Sequence, residues 1–134
     1  MTIYLDFDGT AVEHAYPKIG RENPGAFRVI KKLQEAGHKI ILNTYRVEAD
    51  NNTLNDALEY LNLHPYYPIE TISEYCPEKR QPMTWDWITM RETKTIYIDD
   101  ITKNIPLRKC VTSNNYMVDW NEVDKQFIEN KIYE

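Results

Sequence analysis

An α/β fold on a mostly parallel sheet is what the sequence predicts, from three observations. Short apolar runs recur at Ile3-Tyr4-Leu5, Ile40-Ile41-Leu42 and Ile96-Tyr97-Ile98, unbroken in the way expected of strands covered on both faces. Segments with apolar residues at helical spacing follow the first and second runs, an alternation that points to right-handed parallel crossovers. Each run also leads into polar residues able to do chemistry: Asp6 and Asp8, Thr44, and Asp99 with Asp100.

Taken in order, the first strand reads as residues 1–5, and Gly9 frees the backbone to turn out of the sheet. From Ala11 to Asn23 the chain is polar and broken by Pro17 and Gly20, which suits a loop or small hairpin over the strand end. A first helix follows, with Asn23 expected to cap it, Pro24 in its first turn and Gly37 past its end. Ala26, Phe27, Ile30, Leu33 and Ala36 form its inner stripe, and Arg28, Lys31, Lys32 and Glu35 read as a solvated face. The second strand is His38 to Asn43. A second helix runs from Asn52 to Leu63, with Leu54, Ala57, Leu58 and Leu61 at i, i+3, i+4 and i+7. Between His64 and Arg91 the pattern weakens, and four of the seven prolines fall there. A short strand near Pro68 to Ile72 and a helical turn over Thr84 to Met90, with Trp85 and Trp87 packed inward, are the expectations. The strand Thr95 to Ile98 is followed by a short one from Arg108 to Ser113. Asp119-x-x-Glu122 then resembles a capping box opening a last helix, with Trp120, Val123 and Phe127 inward.

At 134 residues the chain reads as a single domain, residues 1–134, able to bury a core. A net charge of −5 gives a nucleic-acid backbone no overall attraction. Cys76 and Cys110 form neither a metal spacing nor a disulfide framework. With no secretory leader and no apolar run near membrane-spanning length, a cytoplasmic location with no membrane partner is expected.

In an extended chain side chains alternate, so Asp6 and Asp8 are expected on one face with Phe7 turned away. Negative charges crowded there call for neutralisation, which a divalent cation supplies. Ligands of an open parallel sheet bind beyond the carboxyl ends of its strands. Carboxylates, a hydroxyl and a nearby lysine at that edge suit Mg²⁺ and phosphate, because Mg²⁺ takes hard oxygen ligands and keeps several waters.

These residues resemble the haloacid dehalogenase superfamily of phosphohydrolases, whose four motifs stand here in the family's order within residues 3–104. They are Asp6-Phe7-Asp8-Gly9-Thr10, the strand-ending Thr44, the basic Lys79 and the pair Asp99-Asp100. The resemblance implies a Rossmann-like three-layer sandwich and a phosphatase mechanism through an aspartyl-phosphate. Asp6 would be the nucleophile, and Asp8 would protonate the leaving oxygen and then take a proton from water. Thr44 and Lys79 would hold and offset the phosphoryl group, with Gly9 and Thr10 as further phosphate contacts; Arg46, two residues past Thr44, reads either as a substrate contact or as a solvent-facing loop arginine. The Asp6 carboxylate, the Asp8 carbonyl and an acid of the last pair would bind Mg²⁺. Aligning Asp100 with the family's metal-binding acid leaves Asp99 behind it, and Asn104 stands where a further Asp is common. Arg80 and Lys94 are alternatives to Lys79. His14, in the flap, could meet a leaving group.

There is no room for a cap domain between Asp8 and Thr44 or between Thr44 and Lys79. A capless site suits a large phosphorylated substrate or closure by a neighbouring subunit. Two rival readings use the same pocket. In a signalling receiver domain the phosphorylated Asp lies mid-chain and the Lys follows the Thr near the end, an order this chain does not have. A non-catalytic protein could keep the pocket as an Mg²⁺ and phosphate scaffold. Transfer to an acceptor other than water is a variant of the first reading.

Overall fold

Apolar residues in three of them let four short strands sit side by side largely out of water. In the structure, a computed structural model that describes residues 1–49, 51–63, 69–71, 83–110 and 114–134, these are β1 (Thr2–Leu5), β2 (Lys39–Leu42), β3 (Glu70–Thr71) and β4 (Thr95–Ile98). They form one parallel sheet in the order β3-β2-β1-β4. Ile3, Leu5, Leu42, Ile96 and Ile98 are fully buried along it. Tyr4 and Tyr97, opposite each other in register, stack with ring centres 5.1 Å apart.

Register decides where the chemistry goes. Leu5 lies opposite both Leu42 and Ile98, so β2, β1 and β4 end level. The ladder runs one residue further, with Asp6 N donating to Ile98 O at 2.9 Å and Asn43 N to Leu5 O at 2.7 Å. Asp6, Thr44, Asp99 and Asp100 therefore leave the sheet at one edge.

Among the described residues four helices connect and flank these strands: α1 (Ala26–Glu35), α2 (Asn51–Asn62), α3 (Trp87–Thr93) and α4 (Trp120–Glu129). Gly37 follows α1 with φ +90°, the left-handed turn expected past a helix end. Two expectations for α1 are corrected. Gly25 occupies the cap position, and Asn23 is fully buried with its amide donating to the carbonyls of Thr10 and Val118. Ala36 is exposed, and Val29 takes its place inside. Nor is the charged face of α1 only solvated, because Arg28 and Lys32 both bond Asp124 on α4, at 2.9 and 2.8 Å.

The stretch expected as a helical turn from Thr84 instead starts α3 at Trp87, capped by Asp86, whose carboxylate accepts from Thr89 N at 3.3 Å. Trp85 and Trp87 do pack inward, both indoles donating to Gln126 of α4. After β4 the chain makes an antiparallel pair, β5 (Leu107–Lys109) with β6 (Tyr116–Val118), where only one strand was expected. Asp119 caps α4, accepting from Asn121 N and Glu122 N, and Trp120, Val123 and Phe127 are buried. Among the described residues no helix is long and apolar enough to cross a membrane.

The α1–α4 junction gives a prediction. Burial alone would raise the Asp124 carboxyl, but hydrogen bonds from Lys32, Tyr133 and Arg28 hold it down at about 2. A depressed carboxylate stabilises the fold above its unfolded value of 3.8 and stops doing so as pH falls toward 2. Asp124→Asn is expected to cost roughly 1–2 kcal/mol at pH 7, after allowance for screening of the half-exposed Arg28. Urea melts should show that gap narrowing at pH 3.

Candidate active site

The loop that leaves β1 is pinned from several directions. Gly9 has φ +79°, and a Cβ there would collide with the His14 ring, so only glycine fits this turn. Its N–H donates to Val12 O and its carbonyl accepts from Val118 N. The Thr10 carbonyl accepts from the Trp120 indole at 2.7 Å and the Asn23 amide at 2.9 Å. The Thr10 hydroxyl donates to Asp6 Oδ2 at 2.9 Å and accepts from Asp100 N at 3.2 Å. Gly9 and Thr10, expected as phosphate contacts, thus act on the loop: the Gly9 N–H and the Thr10 hydroxyl proton already have acceptors.

Asp6, Asp99 and Asp100 each bring an oxygen to within 4.8 Å of the others. Asp99 Oδ1 accepts from Ile101 N at 3.1 Å, while its Oδ2 is buried with no hydrogen-bond partner. Burial first, then the charges of Asp99 and Asp100, raise the Asp6 carboxyl well above the ordinary range. Burial and the neighbouring Asp100 likewise push Asp99 up, to about 8. Three crowded acids with an unpartnered oxygen fit a hard divalent cation, which would replace protons and satisfy that oxygen.

Asp8 departs from expectation. The strand stops at Leu5, so the alternation that would put Asp8 beside Asp6 does not reach it; Asp8 instead forms a single bridge with Val12. Its carboxylate stands outside the three-acid group and is held in a bidentate pair by Arg46, Nε to Oδ2 and Nη2 to Oδ1, both at 2.8 Å. Of the metal set named from sequence, the carboxylates of Asp6, Asp99 and Asp100 come together; the ligand expected from Asp8 was its backbone carbonyl, not the carboxylate that Arg46 holds.

Arg46 is fully buried. Besides Asp8 it bonds the carbonyls of Pro17, Lys18 and Thr53, so all five of its N–H groups are used. No N–H remains for a phosphate, which corrects the expected substrate contact. Its guanidinium lies 5.0 Å from the Phe7 ring centre and 5.2 Å from that of Tyr16. Thr44, also buried, opens the short 3₁₀ turn Tyr45–Val47 by accepting from Arg46 N at 3.2 Å. Its O–H proton is the donor it can offer the adjoining cleft, a space of about 240 Å³ lined by these acids and hydroxyl together with Tyr16, Tyr45 and Ile101.

A conserved protein from Bacteroides thetaiotaomicron has a solved structure similar to this one: 30% sequence identity, a TM-score of 0.63, and coverage of 98% of this chain and 92% of that chain. This chain belongs to that protein's family. No family model and no curated protein matches it.

In this member of the family, the remaining expected residues fall into three groups. His14 lines the cleft, its Nε2 lying 2.9 Å from Tyr116 O and 3.4 Å from Asp100 Oδ2. Since a carbonyl only accepts, that nitrogen carries the proton. Lys94 and Asn104 stand away from the cleft. Lys94 ends α3 and its carbonyl accepts from Thr2 N, at the opposite end of the sheet; Asn104 is exposed with φ +70°. Lys79, Arg80 and Cys76 lie outside the described residues, and Cys110 is a buried thiol that donates to Glu13 Oε1 at 3.9 Å. Sequence reasoning missed Asn23 and Trp120 as anchors of the Thr10 carbonyl. The only signal for Trp120 was its inward helical position.

Proposed function

We propose that the protein is a Mg²⁺-dependent phosphatase of haloacid dehalogenase type, working through an aspartyl-phosphate on Asp6. The observation that carries this reading is the convergence of Asp6, Asp99 and Asp100 within 4.8 Å at the carboxyl edge of a parallel sheet, with Thr44 lining the same cleft. Asp6, Asp99 and Asp100 would hold the cation. When bound, it would supply positive charge against the carboxylates and the phosphoryl oxygens.

The chain's own residues divide the work as follows. Thr10 holds Asp6 Oδ2, leaving Oδ1 to attack phosphorus as the bond to the leaving oxygen breaks. In its acid form Asp8 donates a proton to that oxygen, becoming the carboxylate that Arg46 holds, and then takes one from the water that hydrolyses the acyl phosphate. Arg46 fixes where the Asp8 carboxylate stands. The Thr44 hydroxyl donates to a phosphoryl oxygen. Lys79 keeps its sequence-based role in this proposal, as do the Rossmann-like three-layer arrangement, the missing cap and the cytoplasmic location.

Two measurements test it. Turnover of an aryl phosphate is expected with Mg²⁺, to be lost with EDTA and to fall about a hundredfold or more in Asp8→Asn; turnover that survives EDTA would exclude the cation's role. The second is thermal. Acids whose folded values are raised keep protons that the unfolded chain releases, so their stabilising contribution is full below about 4 and is lost as pH climbs toward 8. Mg²⁺ is therefore expected to raise Tm more at pH 8 than at pH 5. Equal shifts at both values would remove the link between the cation and these carboxyls.

A further inference from the structure

Resting on that phosphatase reading, we propose that the cleft selects small phosphomonoesters whose leaving alcohol carries an uncharged planar ring, as a nucleoside monophosphate does. The first argument is the rim. Tyr16, Tyr45 and Ile101 line the same cleft as the acids, yet they remain 46%, 58% and 59% exposed. Single exposed apolar side chains are ordinary, but three of them around one polar cleft form a surface that a ligand would cover. Two of the three are tyrosines, whose rings stack on planar groups at low entropic cost.

The tyrosines are also placed by the catalytic framework itself. Tyr16 lies against the guanidinium of Arg46, the residue that holds Asp8. Tyr45 directly follows Thr44 and opens the 3₁₀ turn that Thr44 caps. A ring attached a few bonds from the phosphorus would meet them while the phosphoryl group sits at Thr44.

Charge narrows the choice. Asp6, Asp8, Asp99 and Asp100 all line the cleft. Among the described lining residues the one arginine, Arg46, has every N–H engaged within the protein. A second phosphate or a carboxylate on the leaving group would meet four acids, and among the described lining residues no lysine or arginine N–H is left to pair it. A neutral alcohol carrying a ring meets no such penalty. The volume, about 240 Å³, accommodates one small ester. In the reaction the P–O bond to the alcohol breaks, the alcohol takes the proton of Asp8, and water completes hydrolysis at the acyl phosphate.

The test compares kcat/KM for a nucleoside 5′-monophosphate, a nucleoside 3′-monophosphate, phenyl phosphate, ribose 5-phosphate and a sugar bisphosphate. At least one ring-bearing ester is expected to exceed ribose 5-phosphate by about five- to a hundredfold, the range of one base stacked on an aromatic side chain. The bisphosphate should be the poorest substrate. Which ring-bearing ester leads identifies the source of the ring. Tyr45→Ala should collapse the ratio of the leading ester to ribose 5-phosphate, and Tyr45→Phe should preserve it. A wild-type ratio near one, or a ratio untouched by Tyr45→Ala, overturns the proposal. Absence of turnover on every ester would sink the phosphatase reading alone. Equilibrium binding of the same esters to the wild-type protein with Mg²⁺ would then decide the rim: tighter binding of the ring-bearing ester supports it, and no preference overturns it.

Discussion

Asp6→Asn is expected to lower phosphate release by at least about a thousandfold, the scale on which losing a covalent nucleophile is felt, and to make the cation-free protein more stable. The two effects have one origin. Asp6 is buried beside Asp99 and Asp100, and that burial and repulsion raise its carboxyl. An amide oxygen still accepts the Thr10 hydrogen bond, carries no charge to desolvate, and cannot form an acyl phosphate. Single-turnover assays with Mg²⁺, together with melts at pH 8 in EDTA, measure both effects. Turnover near the wild-type rate would exclude Asp6 as nucleophile. A lower Tm in EDTA would mean that the three acids do not repel one another as their spacing requires.

The second large effect belongs to Arg46. Arg46→Ala leaves the Asp8 carboxylate and the carbonyls of Pro17, Lys18 and Thr53 without their shared donor. Removing one side of a buried, hydrogen-bonded ion pair costs about 3–5 kcal/mol. Arg46→Lys should recover only part of this, because an ammonium cannot span a carboxylate and three carbonyls in the fixed geometry of a guanidinium. Urea denaturation reads the loss, and a cycle with Asp8→Asn should show a coupling above about 1 kcal/mol. With Asp8 no longer held, kcat is expected to fall at least about tenfold in Arg46→Lys. Wild-type stability in Arg46→Ala would show that the pair contributes nothing to the fold.

The parallel strands were legible because an apolar run covered on both faces leaves a contiguous mark: Thr95–Ile98 is a strand at the residues expected. The convergence of Asp6, Asp99 and Asp100 followed from the same pattern, since strands that end level deliver what comes next to one edge. Asp8 was misplaced because strand alternation was extended past Leu5, where the chain has already turned. The role of Arg46 was not legible at all. It depends on Pro17, Lys18, Thr53 and Asp8 arriving around one guanidinium, and nothing in the order of residues announces that meeting. Asn23 looked like a helix cap for a related reason: the same amide can serve a helix end or a distant carbonyl, and only the fold says which. The β5–β6 pair was half hidden: the strand expected from Arg108 overlaps β5, while Tyr116-Met117-Val118 of β6 is too short a run to stand out.

The Trp120 indole bonds the carbonyl of Thr10, 110 positions earlier in the chain. During synthesis, then, the ribosome delivers Asp6 and its loop well before the indole that pins them. A growing polypeptide that already displays Asp6 lacks this anchor, and the loop is pinned there only when α4 emerges and docks.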